Sequence, residues 1–293
     1  MRLTPLINRL SIVQKDLSVV KFGDVMNWAQ LELLQTVERL IDEGKPIRII
    51  VLKARQLGIS TEIEAIMFVM AFLLRRMRGL VISHDLDSSE HLLSITQHYW
   101  DTYPFKDLYT QKYKGAKRLS WVETGSLLRI ATAANVRAGR SSTLQVVHAS
   151  EVAFYDDPKT LMTGLGQAIP NKPLTALFLE STANGIGNYF HETWEGAESG
   201  DNDFIPLFFP WWKHPEYTTK FSKPLGKLDD EEKVLTGFLG MQGMDTDEVR
   251  LRLAWRRWAI RNNCLNNVEL FHQEYPSTPE EAFVSTGKNI FPI

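Results

Sequence analysis

The stretch that most restricts how this chain can fold is VLKARQLGISTE, Val51 to Glu62. An apolar run, KPIRIIVL, ends there in a short polar turn carrying Gly58, and Ser60 and Thr61 then open an apolar pattern at helical spacing, Ile63, Ile66, Met67, Met70 and Leu74. Strand, turn and helix in that order are one unit of an α/β chain, and the same alternation recurs along the sequence.

NWAQLELLQTVERLIDEG, from Asn27 to Gly44, has a helical period with glycine as its stop. GLVIS, Gly79 to Ser83, is a short buried-type strand, and a helix is expected from about Asp87 to Trp100 with Ser88 or Ser89 near its start. RLSWVETGSLLRIAT suggests a hairpin turning at Thr124 and Gly125. STLQVVHAS and LTALFLES are further apolar strands, with a helix from Asp157 to Ala168 between them, opened by Pro158. FIPLFFPWW reads as a strand kept out of the sheet centre by its prolines. Beyond Trp212 the chain is turn-rich and then helical, near 230–240 and 246–262. These patterns predict an α/β core over residues 1–210 and a smaller, mainly helical annex over 211–293.

Composition narrows the partners. With 44% hydrophobic residues, 23% charged and a net charge of -2, a nucleic-acid partner requires a local basic surface. One is present between Phe105 and Arg140, where Lys106, Lys112, Lys114, Lys117, Arg118, Arg129, Arg137 and Arg140 face only Asp107 and Glu123. The most apolar segment, IEAIMFVMAFLL, has about half the length of a membrane crossing and is closed by Arg75, Arg76 and Arg78, so no membrane span is expected. The N-terminus is too polar for a signal peptide. A single cysteine, Cys264, excludes an internal disulfide and a cysteine-only zinc site, and a reducing compartment is expected.

VLKARQLGISTE has the rhythm of a phosphate-binding loop, GxxxxGK[ST], in which backbone N–H groups cradle phosphate and a lysine reaches the outer oxygens. Gly58 and Ser60 match its end, but Ile59 stands at the lysine position and Lys53 at the first glycine. On this segment alone the pattern also fits a strand–turn–helix with no ligand; as a phosphate loop it would draw its positive charge from Lys53 or Arg55, since phosphoryl chemistry needs charge near the phosphate and not one sequence offset. The second element is LQVVHASEVAFYDD, an apolar strand expected beside the loop strand. Ser150 takes the place of the acid that usually attends magnesium, and Glu151 follows it. A magnesium ion held largely through waters and phosphate tolerates a serine in its outer shell. His84 and His148 lack a third metal ligand and are expected to be packing or edge histidines. Trp211, Trp212, Trp255 and Trp258 are expected to pack the annex against the core.

Four segments in order resemble the N-terminal ATPase domain of the large terminase subunit of tailed bacteriophages: KARQLGIST its variant Walker A loop, HASEVAF its Walker B strand, ESTANG (Glu180 to Gly185) its coupling motif, and FHQEYPSTPEEAF the segment that closes the ATPase portion. The resemblance covers nearly all of the chain. It implies a P-loop NTPase of RecA-like, additional-strand (ASCE) type, with a mostly parallel sheet flanked by helices. The implied activity is ATP hydrolysis with Mg2+, driving double-stranded DNA into a procapsid. Lys53, Arg55, Gln56, Gly58, Ser60 and Thr61 are implied to line the nucleotide, Ser60 and Ser150 to attend the metal, and Gln30 to contact adenine. Glu151 is implied to orient the attacking water, Ser181, Thr182 and Asn184 to sense the γ-phosphate, and Arg137 or Arg140 to act in trans in a ring of subunits. The same arginines also suit plain contacts to a DNA backbone. The implied partners are the portal protein and the small terminase subunit, at a procapsid in the cytoplasm of an infected bacterium. Such subunits continue into a metal-dependent nuclease domain, which is expected to be absent here, as this chain ends at KNIFPI. The alternatives are a helicase-like DNA translocase and a nucleotide-binding or oligomerisation module without turnover.

Overall fold

The computed structural model describes residues 1–115, 117–135, 137, 143–220 and 225–283. The chain forms two compact units, one of Met1–Leu52 with Gln56–Leu207 and one of Lys53–Arg55 with the chain from Phe208 onward. In the first, one-turn helices α1 (Thr4–Ile7) and α2 (Phe22–Val25) bracket a hairpin of β1 (Ser11–Val13) and β2 (Val19–Lys21). Helix and strand then alternate through α3 (Trp28–Asp42), β3 (Ile47–Lys53), α4 (Ile59–Leu73), β4 (Arg78–Ser83) and α5 (Leu86–Asp101). A meander of β5 (Gln111–Gly115), β6 (Arg118–Trp121) and β7 (Leu127–Thr132) follows. After it come β8 (Val146–Ser150), α6 (Pro158–Ala168), β9 (Ala176–Ser181), α7 (Tyr189–Ser199) and β10 (Ile205–Phe209).

The local chemistry accounts for the boundaries. Asn27 caps α3 by accepting the Ala29 and Gln30 N–H groups, Asp85 caps α5 through Ser88, and Asp157 with Pro158 opens α6. The β6–β7 turn falls at Thr124 and Gly125, where Gly125 has φ +66°.

The strands form an eight-stranded sheet in the order β10-β3-β9-β8-β4-β7-β6-β5. Pairing is parallel from β3 through β9, β8, β4 and β7, and antiparallel at β6 and β5. One expectation fails here: β8 does not lie beside the loop strand β3. β9, which comes later in the chain, is inserted between them, in register Val51↔Glu180 on one side and Ser150↔Glu180 on the other. Crossover connections let a later strand enter a gap between earlier ones, and nothing in local periodicity records that choice.

β8 and β9 are buried along their whole length, and α4 is buried on nearly every face. Phe68 and Phe72 of α4 meet Tyr103 and Trp121 with ring centroids 5.2 Å and 4.9 Å apart. This aromatic cluster anchors α4, with burial of order 2 kcal/mol per large side chain.

The second unit contains α8 (Asp230–Met241), α9 (Thr246–Asn262), α10 (Val268–Glu274) and α11 (Pro279–Ala282). Trp255 stacks on Trp211 and on Tyr217, at 5.2 Å and 4.4 Å. Trp258, expected to be a packing residue, is instead 45% exposed. Among the described residues no helix is long and apolar enough to cross a membrane.

Candidate functional site

The turn between β3 and α4 has left-handed backbone at Gln56 (φ +55°) and Gly58 (φ +72°), on either side of Leu57. Alternation of this kind turns successive N–H groups to one side and makes a concave anion site. Gly58 is the N-cap of the 15-residue α4 and no side chain among the described residues caps it, so the first N–H groups of that helix face outward for a ligand. Two side chains of the α3 cap brace the turn from behind: Asn27 Nδ2 donates to the Leu57 carbonyl and Gln30 Nε2 to the Gly58 carbonyl, each at 2.9 Å. Gln30 Oε1 in turn accepts the Asn27 N–H at 3.0 Å. Both ends of the Gln30 amide, expected to meet adenine, are thus committed to the cap and the loop.

Behind the loop lies a buried polar chain that sequence reading did not assemble. Glu180 Oε1, at the end of β9, accepts from Ser60 Oγ at 2.7 Å and Ser150 Oγ at 2.6 Å. His148 on β8 lies between two carboxyls, with Nδ1 2.8 Å from Glu64 Oε1 and Nε2 3.3 Å from Glu180 Oε1. Thr96 of α5 donates to Glu64 Oε2 at 2.5 Å. Burial pulls the His148 pKa down, but its bonds to Glu180 and Glu64 outweigh this and raise it to about 9, so it is a cation at neutral pH. Glu62, two residues before Glu64 in α4, is fully buried and pushed up to about 8 by desolvation, so it is largely uncharged at neutral pH. The signal for this network was present: Glu64 interrupts an apolar helix and His148 an apolar strand, and a buried charge needs an opposite partner.

Glu151 follows β8 in left-handed backbone, φ 59° and ψ 44°, and donates its N–H to the Glu180 carbonyl at 2.7 Å. A non-glycine residue there costs about 1–2 kcal/mol, which the surrounding bonds must offset. Two of the expected sensor residues hold the 3-10 turn Val152–Phe154 that follows. Ser181 Oγ accepts the Ala153 N–H at 3.3 Å, and Asn184 Nδ2 donates to the Ala153 carbonyl at 3.0 Å. Thr182 is buried, and its hydroxyl has no hydrogen-bond partner among the described residues. Thr61 is half-buried and accepts the Tyr99 hydroxyl on its carbonyl at 3.0 Å.

Lys53 closes β3 and is buried. Arg55, in the second unit, pairs with Glu274, and its carbonyl accepts the Tyr217 hydroxyl. Arg137 is exposed, and Arg140 lies outside the described residues. His84 is exposed and pairs with Asp85 at 2.6 Å.

No protein-family model matches the chain, and no curated protein sequence does. Its fold is that of solved large terminase ATPase domains. The large terminase ATPase domain of Thermus phage P74-26, in a point-mutant form, aligns with a TM-score of 0.56 at 16% identity, over 90% of this chain and 96% of that one. The large terminase of bacteriophage HK97 aligns with a TM-score of 0.62 at 12% identity, over 94% of this chain and 54% of that one. A large terminase from a thermophilic bacteriophage, solved in complex with ADP, aligns with a TM-score of 0.51 at 12% identity over 64% of this chain and 46% of its own.

Proposed function

We propose that this chain is an ATP-hydrolysing motor domain that moves double-stranded DNA, of the kind found in phage large terminases. The observation that carries the reading is the uncapped, glycine-opened start of α4 with the Ser60 hydroxyl bonded at 2.7 Å to a carboxylate on the adjoining strand. An anion seat next to a hydroxyl and a carboxylate is what a nucleoside triphosphate with a hard cation requires.

The backbone N–H groups from Gly58 to Thr61 receive phosphate oxygens, and Gln30 and Asn27 keep the loop open by fixing its carbonyls. Lys53 and Arg55 keep the phosphate role implied by the resemblance, and Gln56 lines the same turn. The donors at the start of α4 and the end of β9 are all oxygen, which suits Mg2+ and not a softer metal. Ser60 supplies a hydroxyl ligand, and a bound Mg2+ would neutralise charge on the phosphate oxygens. Glu151, held in strained backbone at the end of β8, orients a water toward the γ-phosphate and accepts its proton. Ser181 and Asn184 grip the turn that follows Glu151, so a change at the phosphate is felt on β9.

DNA is held through phosphates by exposed cations of the meander, among them Lys112, Lys114 and Arg118. Arg137, or Arg140, completes a neighbouring subunit's site in a ring that works with the portal protein and the small terminase subunit, at a procapsid in the bacterial cytoplasm. The test is Mg2+-dependent phosphate release from ATP over a range of protein concentrations, for the wild type and for Glu151→Gln. Turnover that rises more than linearly with concentration and vanishes in the variant, with ATP binding retained, is the expected result. ATP binding without turnover in any assembled state would favour the non-hydrolysing module, and absence of ATP binding would overturn the reading.

A further inference from the structure

We propose that Glu180, at the end of β9, and not the residue at the end of β8, provides the carboxylate that seats the divalent cation, in partnership with Ser60. This rests on the nucleotide reading above and changes which strand supplies the acid. Three observations carry it.

The first is strand order. The strand that borders the loop strand β3 is β9, and its last two positions are Glu180 and Ser181. Register pairs Glu180 with Val51 on one side and with Ser150 on the other, so one carboxyl sits between the strand that feeds the loop and the strand that leads to Glu151.

The second is distance. Mg2+ binds oxygen at about 2.0–2.1 Å, so two adjacent ligands of an octahedron lie about 2.9 Å apart. Ser60 Oγ and Glu180 Oε1 are 2.7 Å apart and hydrogen-bonded. A cation there would be held by both oxygens after a shift of a few tenths of an ångström, the Ser60 hydroxyl keeping its proton and turning it away from Glu180.

The third is charge. Mg2+ at a phosphate site is bound through one or two carboxylates besides the phosphate oxygens. Ser150 brings no charge, and its hydroxyl already donates to Glu180 at 2.6 Å. Glu180 is the carboxyl within reach of Ser60, and His148, itself fixed by Glu64 at 2.8 Å, steadies it from behind. Ser150 and His148 are therefore positioning residues, and Glu180 the ligand.

The experiment measures the affinity of a fluorescent ATP analogue in EDTA and in Mg2+, together with the electron paramagnetic resonance of Mn2+ in the presence of ATP. It uses the wild type, Glu180→Gln, Glu180→Asp and the double variant Glu180→Gln/Ser150→Asp. Wild type binds the analogue more tightly with metal than without. Glu180→Gln keeps the metal-free affinity and loses the metal enhancement tenfold or more, with free Mn2+ reappearing in the spectrum. The double variant, which returns a carboxylate to β8, regains most of the enhancement. Should Glu180→Gln fail to fold, Glu180→Asp keeps a carboxyl on the His148 side while drawing it back from Ser60, and is expected to lose the enhancement likewise. Full metal enhancement in whichever of the two folds would overturn the proposal. A wild type that binds no nucleotide, with or without metal, would overturn the nucleotide reading itself, and this assignment with it.

Discussion

Gln30 and Gly58 are tied together twice: the Gln30 amide donates to the Gly58 carbonyl at 2.9 Å, and that same amide nitrogen stands 2.5 Å from where a Cβ on Gly58 would be. The glycine is thus required for its backbone angle, φ +72°, and for the space its neighbour fills. Gly58→Ala is expected to lower stability by roughly 1–2 kcal/mol through left-handed strain, with an added loss from the displaced amide. Adding Gln30→Ala relieves the second part and not the first. Thermal melts of the two single variants and the double variant separate them; strict additivity would contradict the coupling.

Gln30→Ala alone also decides what the glutamine does. A brace affects all nucleotides alike, so affinities for ATP and GTP are expected to fall by a similar factor, about five- to tenfold for the loss of a buried hydrogen bond. Titrations with both nucleotides check this, and a loss confined to ATP would return Gln30 to the adenine.

Asn184 holds the Ala153 carbonyl at 3.0 Å, two residues beyond Glu151. Asn184→Ala frees the turn that fixes Glu151 in its strained backbone and leaves the phosphate loop intact. The expected outcome is a fall in kcat of tenfold or more with nucleotide affinity within about twofold, since a misplaced water-orienting group affects the transition state and not ground-state binding. Equal losses in affinity and turnover would point to a general loosening of β9.

The elements of this fold were legible wherever the signal was local. KPIRIIVL became β3, Pro158 opened α6, and the turn at Thr124 and Gly125 appeared as expected. What failed was what depends on non-local placement. No period in LTALFLES says that β9 enters between β3 and β8, so Glu180 read as the first letter of a coupling motif and not as the partner of Ser60. The placement of Gln30 is non-local in the same way: the capping box of α3 and the loop carbonyl of Gly58 hold its amide, and no spacing in NWAQ records the second of these. The Arg55–Glu274 pair is equally out of reach of local pattern, since the two lie more than two hundred residues apart in sequence.

Lys112, Lys114 and Arg118 are exposed on β5 and β6, and the Arg118 guanidinium lies 3.9 Å from the centre of the Tyr113 ring. If these cations meet DNA phosphates, binding is set by counterion release, with a slope of log K against log salt of about −0.9 for each phosphate neutralised. Replacing all three with glutamine is expected to make that slope shallower by about two to three and to weaken every DNA sequence alike. Salt titrations on two unrelated duplexes measure both, and an unchanged slope would place the DNA path elsewhere.

The helical unit makes a prediction about pH. Glu281 of α11 is buried, accepts the Ser277 N–H at 2.7 Å and lies 3.1 Å from His272 Nε2. Burial raises its pKa above the usual 4.5, against the lowering effects of His272 and Ser277. An acid raised in the folded state stays protonated after the unfolded chain has lost its proton, so its contribution is greatest below about 4.5 and declines as pH rises toward the folded value, by at most about 1.4 kcal/mol per pH unit. Glu231 has the opposite sign, because His272 and Arg256 outweigh its burial and lower its pKa. Glu231 keeps its His272 and Arg256 partners in Glu281→Gln, so most of its slope drops out of the comparison with wild type. The melting temperature of Glu281→Gln relative to wild type is therefore expected to be constant at acid pH and to climb as pH rises above about 4.5. A difference that stays flat across that range would mean that the Glu281 carboxyl ionises as it does in water, with His272 compensating fully for its burial.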